Sequence, residues 1–173
     1  MKHIGTRRLA ITALLSCLAV TAPPALASNP RGEIVSGQWG GAVPCVPTSA
    51  DPTTGATTCL GSTTWVGGLT GQTHYVFTGT LDLTTGAGSG EIDETFIGRD
   101  ADGRVGTLRF SETIVSKPSG LPATGSVVID AQVVAATGAF GGARGELRFE
   151  GTVNVVAGDF GTYSGTLKIK DHS

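Results

Sequence analysis

Charge is scarce in this chain. Asp, Glu, Lys and Arg make up only 15% of its 173 residues, against about a quarter in an ordinary soluble domain. The 12 basic residues form no cluster. That excludes a nucleic-acid surface, which rests on basic patches, and a polybasic membrane-surface patch. Cysteine and histidine are too few and too scattered for a zinc site, with three of each. No H-E-x-x-H, G-x-S-x-G or C-x-x-C occurs, so zinc chemistry, hydrolase triads and dithiol redox have no support. The expectation is a protein with no metal and no cofactor. Helical periodicity is also missing, which excludes a coiled coil. Glycine fills the space instead, at 27 residues, with Thr and Ser plentiful between apolar positions.

The first 27 residues form a segment of their own. Lys2, Arg7 and Arg8 make a basic start, Leu9 to Val20 an apolar run, and Ala25-Leu26-Ala27 an A-x-A cleavage site. The run is short of the ~20 residues of a membrane span. Residues 1–27 are thus expected to be a signal peptide, leaving a secreted, extracellular protein that does not insert in the membrane after cleavage. Thr6-Arg7-Arg8-Leu9 carries the elements of a twin-arginine signal, and Leu14-Leu15-Ser16-Cys17 those of a lipoprotein site. Cleavage after Ala27 removes three of the 12 basic residues and none of the 14 acidic ones, leaving a net charge of about −5. Cys45 and Cys59 remain. In an oxidising compartment they are expected to pair. With thirteen residues between them, the bridge contributes roughly 3 kcal/mol in the chain-entropy picture.

The rest of the chain reads as strands. Apolar and polar residues alternate, and Gly, Pro, Asp and Asn interrupt them every ten residues or so. Candidate strands cover 33–39, 60–67, 72–83, 90–99, 104–116, 125–136, 145–156 and 161–170. The predicted fold is all-β, a single eight-stranded antiparallel barrel. Residues 28–71 supply N-terminal strands and a disulfide-stapled loop, and 72–173 the main part of the barrel. A five-residue pattern of Gly, polar, Leu, charged, large apolar starts at Gly79, Gly106, Gly145 and Gly165. It looks like one way of opening a half-buried strand, used four times.

One hairpin can be registered from its turn. Asp100-Ala101-Asp102-Gly103-Arg104 fits a three-residue loop with Gly103 left-handed. Asp100 then pairs with Arg104, Phe96 with Leu108, Glu94 with Phe110, and Ile92 with Glu112. Glu94 and Glu112 therefore share a face with Ile92, Phe96, Leu108 and Phe110. They become diagonal neighbours, ~5–8 Å apart. Arg109, Arg148, Lys168 and Lys170 fall on the opposite face. Two carboxyls in an apolar barrel resist joint ionisation, so one is a candidate general acid while the other keeps its charge. The alternative sets both near the barrel mouth in water, or hydrogen-bonded by Tyr75, Tyr163 and threonines. The Asp100-x-Asp102-Gly103 turn lacks the spacing of a calcium loop.

Ala136-Thr137-Gly138-Ala139-Phe140-Gly141-Gly142-Ala143-Arg144-Gly145 resembles the T-G-x-F-x-G-A-x-G stretch of dirigent proteins and the wider allene oxide cyclase-like barrels. Bacterial members of that group are similar across Tyr75 to Lys170. The resemblance implies an eight-stranded, calycin-like barrel with a cavity, and trimeric assembly. It also implies binding of apolar small molecules, with cyclisation or radical coupling steered inside the barrel.

The expected function is binding of a small apolar or polycyclic ligand, lined by Tyr75, Phe77, Phe96, Phe110, Phe149 and Tyr163. Cofactor-free isomerase or cyclase chemistry by Glu94 and Glu112 is the further expectation. The alternative is a non-catalytic secreted barrel whose core those aromatics fill. Cavity volume separates the two, with roughly 300 Å³ as the threshold.

Overall fold

The computed structural model describes residues 32–41, 46–51 and 55–170. The expected signal peptide and Cys45 lie outside the described residues. Ten antiparallel strands follow one another: β1 (Gly32–Gly41), β2 (Val46–Ala50), β3 (Ala56–Gly61), β4 (Thr64–Gly67), β5 (Leu69–Asp82), β6 (Ala87–Asp100), β7 (Val105–Pro118), β8 (Thr124–Gly138), β9 (Arg144–Asn154) and β10 (Asp159–Lys168). Each long strand alternates buried and exposed residues, the pattern of a sheet with one face covered.

The sheet closes on itself. Neighbours run β5-β4-β1-β10-β9-β8-β7-β6, and β6 returns to β5. That is a barrel of eight strands, as the alternation and turn spacing require. The β3–β4 segment pairs along β5, from Ala56↔Thr80 to Gly61↔Tyr75 and then Trp65↔Gly71. Its far side is shared: β4 pairs with β1, while β3 pairs with β2. The segment expected to be a loop between the two cysteines therefore contains a strand. Val46–Ala50 finds backbone partners on β3, and the turn is closed by Asp51 N donating to Ala56 O at 2.8 Å. Cys59 is fully buried on β3.

The β6–β7 hairpin has the register its turn demands: Phe96↔Leu108, Glu94↔Phe110 and Ile92↔Glu112. Gly103 has φ +81° with open space around it. A β-branched residue there meets backbone strain and no clash. Gly103→Val should therefore cost more than about 1 kcal/mol, while the exposed Asp102→Asn change should be nearly neutral. Thermal melts of the two variants check this; a Gly103→Val melt coincident with wild type contradicts it.

Of the four glycines that begin the repeated pattern, Gly106 and Gly145 do open strands, but Gly79 and Gly165 lie inside theirs. Their shared reason is close approach. A Cβ on Gly79 would sit 2.8 Å from the Phe77 ring, and one on Gly106 2.7 Å from the Phe140 ring. At Gly79 and Gly106 an inward aromatic ring takes the space a side chain would need, which suits a tightly curved barrel.

One end of the barrel is packed solid. Trp65 stands at the centre, with ring centroids of Phe96, Phe110, Phe149 and Tyr163 between 5.0 and 5.6 Å away. The Tyr163 hydroxyl accepts from Leu69 N at 2.7 Å and donates to Leu69 O at 2.8 Å. Phe140, from the dirigent-like stretch, is fully buried against Phe96 and plugs this end. Arg104 straps it from outside. Its Nε donates to Asp100 at 2.6 Å, and its terminal nitrogen to Glu33 at 2.9 Å. Glu33, Asp100 and Asp102 cluster because this guanidinium draws them together.

Candidate functional site

The other end is open. A cavity of about 320 Å³ enters between the end of β5, the start of β6, the end of β7 and the β9–β10 turn. Gly88 and Ser116 are among the small residues that line it. Its rim is apolar, with Leu81, Leu83 and Val155. Among the described residues no Lys, Arg or His lines it.

Glu94 and Glu112 line this cavity, at 5% and 3% exposure. They arrive from neighbouring strands with their carboxyls in hydrogen-bonding contact. Their surroundings differ. Trp65 Nε1 donates to Thr63 Oγ1 at 3.0 Å, and Thr63 Oγ1 lies 2.7 Å from Thr73 Oγ1 and 3.4 Å from Glu94 Oε1. An indole nitrogen can only donate, so the polarity of this relay runs toward Glu94. Burial raises the Glu94 carboxyl, and the hydrogen bonds from Glu112, Thr73 and Thr63 oppose the rise. Burial raises Glu112 too, and the Glu94 charge beside it raises it further, well above the ordinary range. Burial and proximity thus favour a proton on the pair, and the Thr63 hydroxyl faces its Glu94 side. The Glu94 contact aside, Glu112 Oε1 has no hydrogen-bond partner.

A third carboxyl stands higher in the cavity. Asp159 accepts from Asn154 N at 3.1 Å, and burial pushes it up to about 6. Burial chiefly raises the Tyr75 phenol; Asp159, Glu94 and Glu112 add to the effect. Protonated Asp159 favours the fold. That contribution is complete below the ordinary Asp value and is lost as pH rises through about 6. Asp159→Asn should therefore gain on the order of 2 kcal/mol over wild type at pH 7 and nothing at pH 3.5. Urea unfolding at the two pH values checks this; an equal difference at both contradicts it.

Of the residues expected from the sequence, the structure gathers Glu94, Glu112, Tyr75, Phe77 and Phe149 around the cavity. Phe96, Phe110 and Tyr163 do not line it. They are inward-facing but lie below the floor, in the stack around Trp65. Sequence reasoning passed over Trp39, Thr63, Trp65 and Asp159. Trp39 and Trp65 sit at inward positions of β1 and β4, so strand alternation carried their signal. Asp159 precedes the strand expected over 161–170 and carried none.

No protein-family model and no curated protein sequence matches the chain. Among solved structures it is similar to the pterocarpan synthase dirigent protein GePTS1, with a TM-score of 0.50 and 14% identity. The match covers 90% of this chain and 100% of that one. The fold is a dirigent-like barrel. At that identity the likeness speaks of architecture alone. Within the dirigent-like barrel, Phe140 and its glycine-rich turn close one end, and the carboxyl pair faces the open one.

Proposed function

We propose that this dirigent-like barrel is an exported protein that takes a small apolar, ring-bearing molecule into its open end. There Glu112 and Glu94 carry out cofactor-free isomerisation or cyclisation. The observation that carries this reading is a buried carboxyl pair on the wall of an open apolar cavity. The volume of about 320 Å³ reaches the range of ligand pockets, roughly 300–1,000 Å³. The filled-core alternative fits the lower half of the barrel but leaves the upper half unexplained.

Glu112 hands its proton to an oxygen or unsaturated carbon of the ligand. The Glu94 carboxylate, no longer neutralised, faces the positive charge that develops. After bond migration or ring closure a proton returns to the pair, so none is consumed overall. General acid–base help of this kind is worth about 10²–10⁴-fold, so Glu112→Gln should cut turnover of any substrate by at least about 100-fold.

N-phenyl-1-naphthylamine, an uncharged apolar fluorophore, tests the binding step. One molecule should bind per chain, and Ile114→Trp, which fills the cavity wall, should abolish the signal. Absence of binding, or equal binding by the variant, would count against the reading. For export, intact mass of secreted material should match a chain starting at Ser28. Its mass should be two hydrogens below the reduced form, from a Cys45–Cys59 bridge. A lipid mass on Cys17 would overturn this.

A further inference from the structure

The charged residues that line the cavity are all acids: Glu94, Glu112 and Asp159, with no Lys, Arg or His among the described residues. The three are not alike. Glu94 and Glu112 are sealed into the wall, and burial and proximity favour a proton on that pair. Asp159 is only part-buried and lies nearer the mouth. Burial pushes it to about 6, so at neutral pH it is largely ionised. Its Oδ1 accepts from Asn154 N. Its Oδ2 has no hydrogen-bond partner among the described residues and stays open to solvent. The Asn154 side chain is engaged in its own turn: it donates to Thr124 Oγ1 at 3.0 Å and accepts from Val156 N and Ala157 N.

The surroundings of this carboxylate are aromatic. Inward positions on β10 run Asp159, Gly161, Tyr163, about 7 Å apart. At Gly161 a Cβ would come within 2.7 Å of Trp39 Nε1, so the indole takes the space next below Asp159. Phe149 meets that indole edge-on at 6.1 Å and 83°. The Tyr75 phenol is close enough for the Asp159 charge to raise it. Trp39, Tyr75 and Phe149 all line the cavity, and Ile92 and Ile114 continue its apolar wall. A carboxylate drawn out of water calls for a positive partner, and aromatic rings attract cations. Among the described residues no side chain of the cavity wall supplies that partner.

We infer that the cavity takes an organic cation, an apolar ring compound carrying a protonated amine, whose N–H donates to Asp159 Oδ2 while its rings lie against Trp39 and Phe149. This rests on the binding reading above and adds to it the charge and orientation of the ligand. The amine stays at the mouth, and the rings point down toward the Glu94–Glu112 pair. An anion of the same shape meets three acids and no base, so the lining also selects against it.

Three compounds of one shape test it by calorimetry at pH 7: 2-naphthylmethylamine, a cation; 2-naphthylmethanol, neutral; and 2-naphthoate, an anion. The amine should bind the wild-type protein at least about tenfold more tightly than the alcohol, the worth of a hydrogen bond to a charged group. The naphthoate should bind more weakly than either. Asp159→Asn, which is expected to be more stable than wild type at this pH, should erase the advantage of the amine and leave alcohol binding unchanged. Glu91→Gln makes the same charge change at an exposed position on the outer face and should keep the advantage. Equal binding of amine and alcohol by wild type, or an amine advantage that survives Asp159→Asn, would overturn the cation site and leave the cavity reading standing. Failure of all three to bind would overturn both.

Discussion

Trp65→Ala should lower the unfolding free energy by about 4 kcal/mol, within the 3–5 kcal/mol range of large buried aromatics cut to alanine. Trp65 is 1% exposed and touches four other rings, one from each of β6, β7, β9 and β10. Its removal unites the open cavity with the packed end, and strands held apart in a closed barrel cannot collapse to fill the gap. The variant also deprives Thr63 of its indole donor. Trp65→Phe separates the two losses, since it keeps most of the packing and drops the N–H. It should cost about 1–2 kcal/mol, a hydrogen bond plus a partial void. Guanidinium unfolding measures both. A Trp65→Ala loss under about 1 kcal/mol would mean that this ring does not hold the lower barrel together.

The second large effect is one of pH. Glu112→Gln should match wild type at pH 4 and exceed it increasingly above that. The sign follows from linkage. The folded Glu112 value lies well above the ordinary one, through burial first and the Glu94 charge second. Between the unfolded value of ~4.3 and the folded value, the native state holds a proton that the unfolded chain has released. Stability contributed by that proton is complete below the unfolded value and is lost as pH rises toward the folded one. The slope is about 1.4 kcal/mol per pH unit, and Gln, always neutral, has none. Wild type should thus fall progressively behind Glu112→Gln as pH rises from 5 toward 7. A constant offset across that window would place Glu112 in water, as an ordinary carboxyl.

How much of this was legible beforehand differs from residue to residue. The Glu94–Glu112 neighbourhood could be read because the Asp100–Arg104 turn fixes register and strand alternation fixes the face; local chemistry determined both. The level of a side chain along the barrel axis could not. Phe77 and Phe96 both face inward, yet Phe77 lines the cavity while Phe96 packs on Trp65 below its floor. Strand tilt and stagger around the closed ring decide that, and they are properties of all eight strands together. The β2 strand was hidden for another reason: its Thr, Pro and Ser residues suit a turn as well as an edge, and its partner on β3 supplies the choice.

Carbon-detected NMR titration of the glutamate side-chain carboxyls reports directly on the buried pair. Glu112 should stay protonated to a pH well above the ordinary ~4.3, with Glu94 also raised. Glu91, Glu146 and Glu150 serve as exposed controls in the same spectra. Ordinary values for both Glu94 and Glu112 would contradict a proton shared in an enclosed apolar site, and with it the proposed chemistry.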